Sequence, residues 1–189
     1  NRILGTDVTK ADITLHGSFA ATYWGHRTNV ALIAGLLGMG MDDERIPQAL
    51  ELAKDAGLEY SFSSGDLGDV HPNSVRIKAE GSGDKIEVAG ASIGGGRINI
   101  FEVNGFEGGV DGSYTTLITR HRDEPGVIAE ITKVLAIHGI NIAFLNVSRK
   151  IRGSEALLLA QTDDQISDLA QQHVLRIPGV IVVRTLPRF

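Results

Sequence analysis

The last third of the chain has the hydrophobic spacing of a βαββαβ module, and this pattern limits the possible fold more than any other feature. Apolar residues at helical spacing predict one helix after the first strand, ended by Gly139, and another before the last strand. Thr162-Asp163-Asp164-Gln165 is typical of a capping box that would begin the second helix. Four strands are predicted, at 115–121, 140–149, 156–161 and 180–186.

Two of these predicted strands are apolar on both faces. Leu157-Leu158-Leu159 and Val180-Ile181-Val182-Val183 do not alternate with polar residues, so both faces of the sheet must be covered. The two helices can cover one face, and we expect the other to meet a second copy or another domain. We therefore predict that the chain is at least dimeric through this module.

The first part of the chain has a different pattern, with helices between one early strand and a run of later strands. A strand is predicted from Ala11 to Ser18, and Thr28 is expected to cap a helix from Asn29 to Leu37. Asp42 or Asp43 would cap a second helix that runs to Ala56. Further strands are predicted at 58–63, 74–80, 85–92 and 97–103, and the glycine-rich segment 105–113 is the predicted linker. The predicted domains of this α+β chain are residues 1–112, of mixed α/β type, and 113–189.

Composition excludes several classes of function. Lys and Arg total 18 against 23 Asp and Glu, a formal net charge of −5 without a basic block, which argues against nucleic acid or an anionic membrane as partner. The 189 residues contain no cysteine, so they offer no thiolate for catalysis or metal binding. No apolar run has membrane-spanning length and no secretory segment is recognisable, so a cytoplasmic location is expected. The chain begins at Asn1 rather than at methionine, and we expect a preceding segment.

The strongest candidate site is the turn from Arg120 to Gly126 together with Asn141. Free amides at a helix start, around Gly126, attract a carboxylate, with His121 in reach. Asp123 can accept hydrogen bonds from an ammonium, and Asn141, expected beside this turn, can bond either group. This set suits a zwitterionic amino acid, which we expect to bind between two copies of the module. The alternative is structural: Asp123 caps the helix and Asn141 only satisfies backbone groups.

A second candidate site is the glycine-punctuated loop from Gly17 to Asn29. Small residues let an anion approach backbone amides there, and histidine and arginine side chains can supply positive charge. The alternative is a tight turn followed by a helix cap. No histidine pair has metal-site spacing, and we assign no catalytic or metal-binding residue to this chain. The candidate substrate-binding or anion-binding residues are Ser18, His26, Arg27, Thr28 and Asn29.

Motifs in the last third resemble a known family. His121-Arg122-Asp123-Glu124-Pro125-Gly126 and Ile140-Asn141-Ile142 are similar to the serine-binding ACT domain of D-3-phosphoglycerate dehydrogenase. The resemblance implies a ferredoxin-like fold for residues 115–189 and an amino-acid effector. In that family the positions that match His121, Asp123 and Asn141 hold serine, and Asn is common at the position of Asp123.

Nearly the whole chain resembles the β subunit of bacterial iron-sulfur-dependent L-serine dehydratase, which joins an allosteric substrate-binding domain to an ACT domain. Arg27 and Asn29 stand where that family commonly has Gly and Asp, and its Gly-Pro-Ser-Ser-Ser-His-Thr segment has no counterpart in these residues. The motifs that carry the resemblance are Gly17-Ser18-Phe19, Gly25-His26, Asp42-Asp43-Glu44-Arg45-Ile46, His71-Pro72-Asn73, Ser92-Ile93-Gly94-Gly95-Gly96 and Asn104-Gly105-Phe106.

This resemblance implies the conversion of L-serine to pyruvate and ammonia, with a place in gluconeogenesis, by a complex of this chain with an α subunit. The α subunit is expected to carry a [4Fe-4S] cluster whose iron acts as a Lewis acid on the hydroxyl leaving group. We expect this chain alone to bind no cluster and to be inactive. Two alternatives stay open: the regulatory region of a D-3-phosphoglycerate dehydrogenase, and a free-standing amino-acid-binding ACT protein.

Overall fold

The chain divides into two compact units, each of which combines a β-sheet with helices. The computed structural model describes residues 2–188. The first unit runs to Ile98 and includes Val103–Gly105, whereas the second contains Asn99–Glu102 and the chain from Phe106 onward. The division passes through strand β5 (Arg97–Val103).

The first unit begins with a parallel pair of strands joined through helices. Strand β1 pairs in parallel with β2 and antiparallel with β3, and the order of its sheet is β2-β1-β3-β4. Parallel neighbours need a long crossover connection, which the helical segment supplies. The elements are β1 (Lys10–Leu15), α1 (Gly17–Thr22), α2 (Thr28–Leu36), a 3₁₀ turn (Ile46–Gln48), α3 (Ala49–Asp55), β2 (Glu59–Ser64), β3 (Ser74–Gly81) and β4 (Asp84–Gly94).

The core of the first unit lies between β1 and the two longer helices. Alternate residues of β1 point inward, as the period of two in a strand requires. Ile13 and Leu15 are fully buried there, and Ile33 of α2 and Ala53 of α3 pack against the same cluster. This packing fixes the position of the loop that leaves β1, which contains the second candidate site.

The second unit contains the predicted βαββαβ order, in a sheet with strand order β10-β7-β9-β8. All three neighbouring pairs of strands are antiparallel. Helices α4 and α5 pack on one face around Leu117, Ile131 and Leu158. The elements are β6 (Phe106–Val110), β7 (Thr115–Arg122), α4 (Val127–Ile137), β8 (Ile142–Arg149), β9 (Glu155–Thr162), α5 (Asp168–Leu175) and β10 (Val180–Leu186).

Strand β9 is buried on both faces, as its uninterrupted leucines predicted. Leu157, Leu158 and Leu159 are at most 3% exposed. Leu158 faces the helices, whereas its two neighbours face the opposite side, where β6 lies. The segment predicted to be a linker therefore contains a strand that covers part of this face. The glycines of β6 allow the approach, since a Cβ at Gly108 would lie 3.6 Å from Leu159 Cδ1.

Several predicted element boundaries are wrong because local hydrogen bonding differs from the expected caps. Thr162 belongs to β9 and donates to the carbonyl of Thr115 instead of opening a helix. Helix α5 begins after Ser167, whose hydroxyl accepts from the N–H of Ala170. In the first unit, β1 ends at Leu15, and the residue preceding α2 is Arg27 rather than a capping threonine.

The helix expected from Asp42 or Asp43 to Ala56 is also shorter than predicted. Pro47 lies in a 3₁₀ turn, and α-helical geometry starts only at Ala49. Asp43 accepts from the N–H of Arg45 and stabilises the preceding turn. In residues 2–188, no helix is both long and apolar enough to cross a membrane.

Candidate functional site

The first turn of α4 has the open geometry that an anion-binding helix start needs. Gly126 precedes the helix with φ 94°, and no side chain caps this end. A residue with a Cβ would be strained at this φ, although a Cβ would meet no atom within 4 Å. The start of α4 therefore lacks a side-chain cap and has open space beside Gly126, an arrangement in which a carboxylate can approach the helix amides.

Asp123 does not cap this helix, so the structural alternative for it is wrong. Its Oδ2 accepts from the N–H of Gly153 at 2.9 Å and from Arg149 Nη1 at 2.8 Å. These two bonds hold the pKa of Asp123 below its ordinary value, and the bond from Gly153 has the larger effect. The carboxylate is thus ionised at neutral pH and connects the turn before α4 to the turn between β8 and β9.

His121 lies on the helix-facing side of β7 and is only 1% exposed. Its Nδ1 is buried and has no hydrogen-bond partner in the described part of the chain, and the same is true of Thr119 Oγ1 on the same face of the strand. Burial lowers the pKa of His121, and the negative charge of Asp123 offsets only part of this effect. The imidazole is therefore neutral near pH 7 and brings no positive charge to the candidate site.

Asn141 does not lie beside the turn within one chain, which corrects the expected arrangement. His121 pairs with Ala156 at the start of β9, whereas Ile142, next to Asn141, pairs with Thr162 at its end. These positions are separated by about 20 Å along an extended strand. Asn141 Nδ2 instead donates to Asp163 Oδ2 at 2.7 Å. One copy of the chain brings together only His121, Asp123 and Gly126.

Strand β8 is an edge strand with apolar side chains exposed on both faces. In the described residues it lies at the end of the sheet of the second unit and pairs there with β9. Leu145 and Val147 lie on the helix-facing side and are 44% and 41% exposed, and Phe144 on the opposite side is 56% exposed. A long apolar edge of this kind favours pairing with another strand.

The second candidate site lies between α1 and α2, where Arg27 has a strained backbone. Its φ of 56° is in the left-handed region, which a non-glycine residue adopts at a cost of about 1 kcal/mol or more. Its side chain donates from Nη2 to the carbonyl of Pro47 at 3.0 Å. Asn29 in the first turn of α2 is 2% exposed, and its Oδ1 has no hydrogen-bond partner among residues 2–188.

The other residues predicted for this loop are more accessible. Ser18 and His26 are exposed, and Thr28 is half-buried. Within residues 2–188, the five side chains form no hydrogen bonds with one another. Backbone hydrogen bonds connect the two helices. The N–H of His26 donates to the carbonyl of Thr22, and the N–H of Thr28 donates to the carbonyl of Tyr23. The loop is thus ordered by its backbone, while its polar side chains stay available.

A close backbone contact anchors the start of this loop. Gly17 has φ 54°, and a Cβ there would lie 2.6 Å from the carbonyl oxygen of Pro72. The N–H of Phe19 donates to that same carbonyl, and His16 Nδ1 accepts from the N–H of Leu67. The Gly-Ser-Phe and His-Pro-Asn motifs are therefore neighbours in the first unit, although the chain separates them widely.

In the described part of the chain, no three histidine, aspartate or glutamate side chains are grouped to hold a metal ion. His138 at the end of α4 and His173 of α5 form a hydrogen bond of 2.9 Å between Nε2 and Nδ1, which connects the two helices. Sequence reasoning missed Arg149, because no local motif indicates that the end of β8 lies beside the turn before α4.

Comparison with known proteins agrees with this architecture. The ACT domain family model matches residues 115–178, which confirms the ferredoxin-like α+β prediction for the second unit. The beginning of the match coincides with β7, and its end follows α5. The candidate turn, helix α4 and the edge strand all lie within this range.

Relatives extend the similarity to nearly the whole chain. The probable L-serine dehydratase beta chain of Bacillus subtilis is 37% identical over 181 residues, 96% of this chain and 82% of that protein. The L-serine dehydratase beta chain of Peptoniphilus asaccharolyticus is 36% identical over 177 residues, 93% of this chain and 80% of that protein. D-3-phosphoglycerate dehydrogenase of Synechocystis is 27% identical over 95% of this chain but only 32% of its own length. The chain therefore belongs to the L-serine dehydratase beta chain family.

Proposed function

We propose that this chain is the β subunit of a two-chain L-serine dehydratase, which converts L-serine to pyruvate and ammonia. The observation that carries the proposal is the similarity to two L-serine dehydratase beta chains over 93–96% of the chain. In this assignment the chain supplies amino-acid binding and regulation, and an α subunit supplies the reaction centre. The chain would act as a lyase only in that complex.

The residues of this chain do not fit an iron-sulfur cluster. A [4Fe-4S] cluster is held by cysteine thiolates, and the 189 residues contain no cysteine. We therefore place the cluster on the α subunit. No step of the reaction is assigned to a side chain of the β subunit.

The effector site that we propose is built on the turn from His121 to Gly126. The start of α4 favours a carboxylate, because no side chain of the described residues caps its first turn, where only the N–H of Val127 donates to the carbonyl of Glu124, and the helix dipole is positive there. Asp123 is ionised and 21% exposed at its side chain, so it can accept from an ammonium. These features support L-serine or a close amino acid as effector.

Two copies of the chain complete this site. Antiparallel pairing of β8 with β8 of a second copy would place the start of one strand opposite the end of the other. Asn141 precedes β8, whereas Arg149 at its other end contacts Asp123. Asn141 of one copy would then lie beside the turn of its partner. The exposed apolar side chains of β8 support this homodimer.

We also retain the Gly17 to Asn29 loop as a substrate-binding or anion-binding site in the first domain, residues 1–112. Its support is the buried Asn29 with an unpartnered Oδ1 and the strained Arg27 beside it. Ser18, His26 and Thr28 complete the proposed set. The ACT domain, residues 113–189, would carry the effector site.

Anaerobic co-expression with the α chain from the same genome tests the assignment. Purification through a tag on this chain should retain the α chain, and the complex should release pyruvate from L-serine. A complex with Asp123→Ala should still assemble and form pyruvate, but its activity should respond differently to added L-serine. If no α chain co-purifies and no pyruvate forms, the family assignment does not extend to function. The chain would then be tested as a regulatory region of a D-3-phosphoglycerate dehydrogenase, because the Synechocystis dehydrogenase aligns with 95% of this chain.

A further inference from the structure

An amino-acid effector carries a carboxylate, and the structure leaves the positive partner of that carboxylate unassigned. His121 is 1% exposed and neutral. The amides at the start of α4 carry only partial charge. A site that contains Asp123 alone as a full charge would repel the carboxylate of its own ligand. A cation beside Asp123 would balance this charge and strengthen the binding of a zwitterion.

Arg149 is placed to be this cation. In the sheet, Arg149 of β8 pairs with Ala156 of β9, which pairs with His121 of β7. The three residues form one row on the helix-facing side, and Ala156 between the other two is small and fully buried. The guanidinium donates from Nη1 to Asp123 Oδ2 at 2.8 Å. Its other N–H groups make no bond with a described residue, and 54% of the side chain is exposed.

The same contacts orient Asp123 for an ammonium. Both hydrogen bonds that it accepts, from Arg149 and from the N–H of Gly153, fall on Oδ2. Oδ1 therefore stays available to donors from a ligand. The pair is neutral overall but presents a donor face and an acceptor oxygen side by side, which is the charge pattern complementary to an α-amino acid.

We propose that Arg149 binds the carboxylate of the effector while Asp123 Oδ1 accepts from its ammonium, so that this ion pair selects zwitterions over simple acids and simple amines. The inference rests on the effector site proposed above and adds its charge-recognition residue.

Neighbouring arginines have glutamate partners and are weaker candidates. Arg120 lies 3.2 Å from Glu155, and Arg122 lies 3.9 Å from Glu124. Arg152 is exposed in the same turn as Gly153, and within residues 2–188 it forms no ion pair and no hydrogen bond with Asp123. Arg152→Gln is therefore the matched control for Arg149→Gln, because it removes one cation from the same turn.

Calorimetry on the full chain tests the proposal with L-serine, serinol, which lacks the carboxylate, and glycerate, which lacks the ammonium. Arg149→Gln should weaken L-serine about ten- to a hundredfold and leave serinol within about twofold. Arg149→Lys should bind L-serine with intermediate affinity, since it keeps the charge but loses the planar fork. Asp123→Asn should favour glycerate over L-serine, because Arg149 would then lack its compensating charge. Arg152→Gln should match the wild type.

Each contrary outcome has a distinct meaning. Equal losses for L-serine and serinol in Arg149→Gln would show that Arg149 only positions Asp123, and would overturn the proposal. Unchanged L-serine binding in Arg149→Gln would also overturn it, while the effector site itself would stand. If the wild type binds none of the three ligands, the effector site is wrong and this inference fails with it. Thermal unfolding of each variant identifies any loss that comes from misfolding.

Discussion

The two halves of the proposed effector site should come from different copies of the chain, and this can be tested by complementation. Within one copy, the turn that contains Asp123 and the strand start that contains Asn141 are about 20 Å apart, as the six strand steps from Ala156 to Thr162 require. An amino acid cannot span this distance. Asp123→Ala and Asn141→Ala should therefore each abolish tight binding as homodimers, although they damage opposite ends of the module.

Mixing the two variants should restore part of the binding. A mixed dimer has one site with both substitutions and one site with neither. Random exchange of subunits makes about half of the dimers mixed, so about one quarter of all sites regain full affinity. Each lost contact costs about 1.5–3 kcal/mol, or ten- to a hundredfold in Kd. Restored and damaged sites are therefore separable at one L-serine concentration.

The assay is equilibrium dialysis with labelled L-serine after the variants are unfolded together and refolded. A mixture of wild type with Gln172→Ala, an exposed position on α5, controls for refolding losses and should bind as the wild type does. If the mixture of the two site variants binds no more than either variant alone, the site does not form between copies. Full binding by Asn141→Ala alone would remove Asn141 from the site.

Four further predictions concern stability, pH and chemistry. Leu158→Ala, at a fully buried position, should lower the free energy of unfolding by about 2–5 kcal/mol in chemical denaturation, because the core cannot close the resulting cavity. Burial lowers the pKa of His121 below 6.5, so the contribution of this residue to stability is present above that value and is lost as the pH falls through the folded-state pKa. The free energy of unfolding of His121→Gln, measured by chemical denaturation at several pH values, should therefore change less over this range than that of the wild type. Gly17→Ala should lower Tm and expose the α1 loop to proteolysis, because its Cβ would lie 2.6 Å from the carbonyl oxygen of Pro72; an unchanged Tm would mean that the loop shifts at no cost. The chain purified alone under anaerobic conditions should contain no stoichiometric iron and form no pyruvate from L-serine, and either finding would contradict the division of roles between the subunits.

Sequence periodicity predicted the elements whose structure depends on near neighbours. The four strands and first helix of the second unit agree with prediction to within about two residues, because alternation and helical spacing reflect which side of an element faces the core. Caps were less predictable. Thr162 resembles a capping residue in sequence, but its hydroxyl finds a carbonyl of β7 in the folded sheet, and the helix starts at Ser167 instead.

The sequence by itself determined the family, the βαββαβ order and the local chemistry of the turn from His121 to Gly126, since each depends on residues that are adjacent in the chain. Only the tertiary structure decided which distant residues meet at that turn. Strand register places Arg149 beside Asp123 and places Asn141 at the far end of the sheet. The register follows from the packing of whole strands against helices and against β6, and no short motif encodes it. Burial of His121, which removes its charge from the site, also results from this packing.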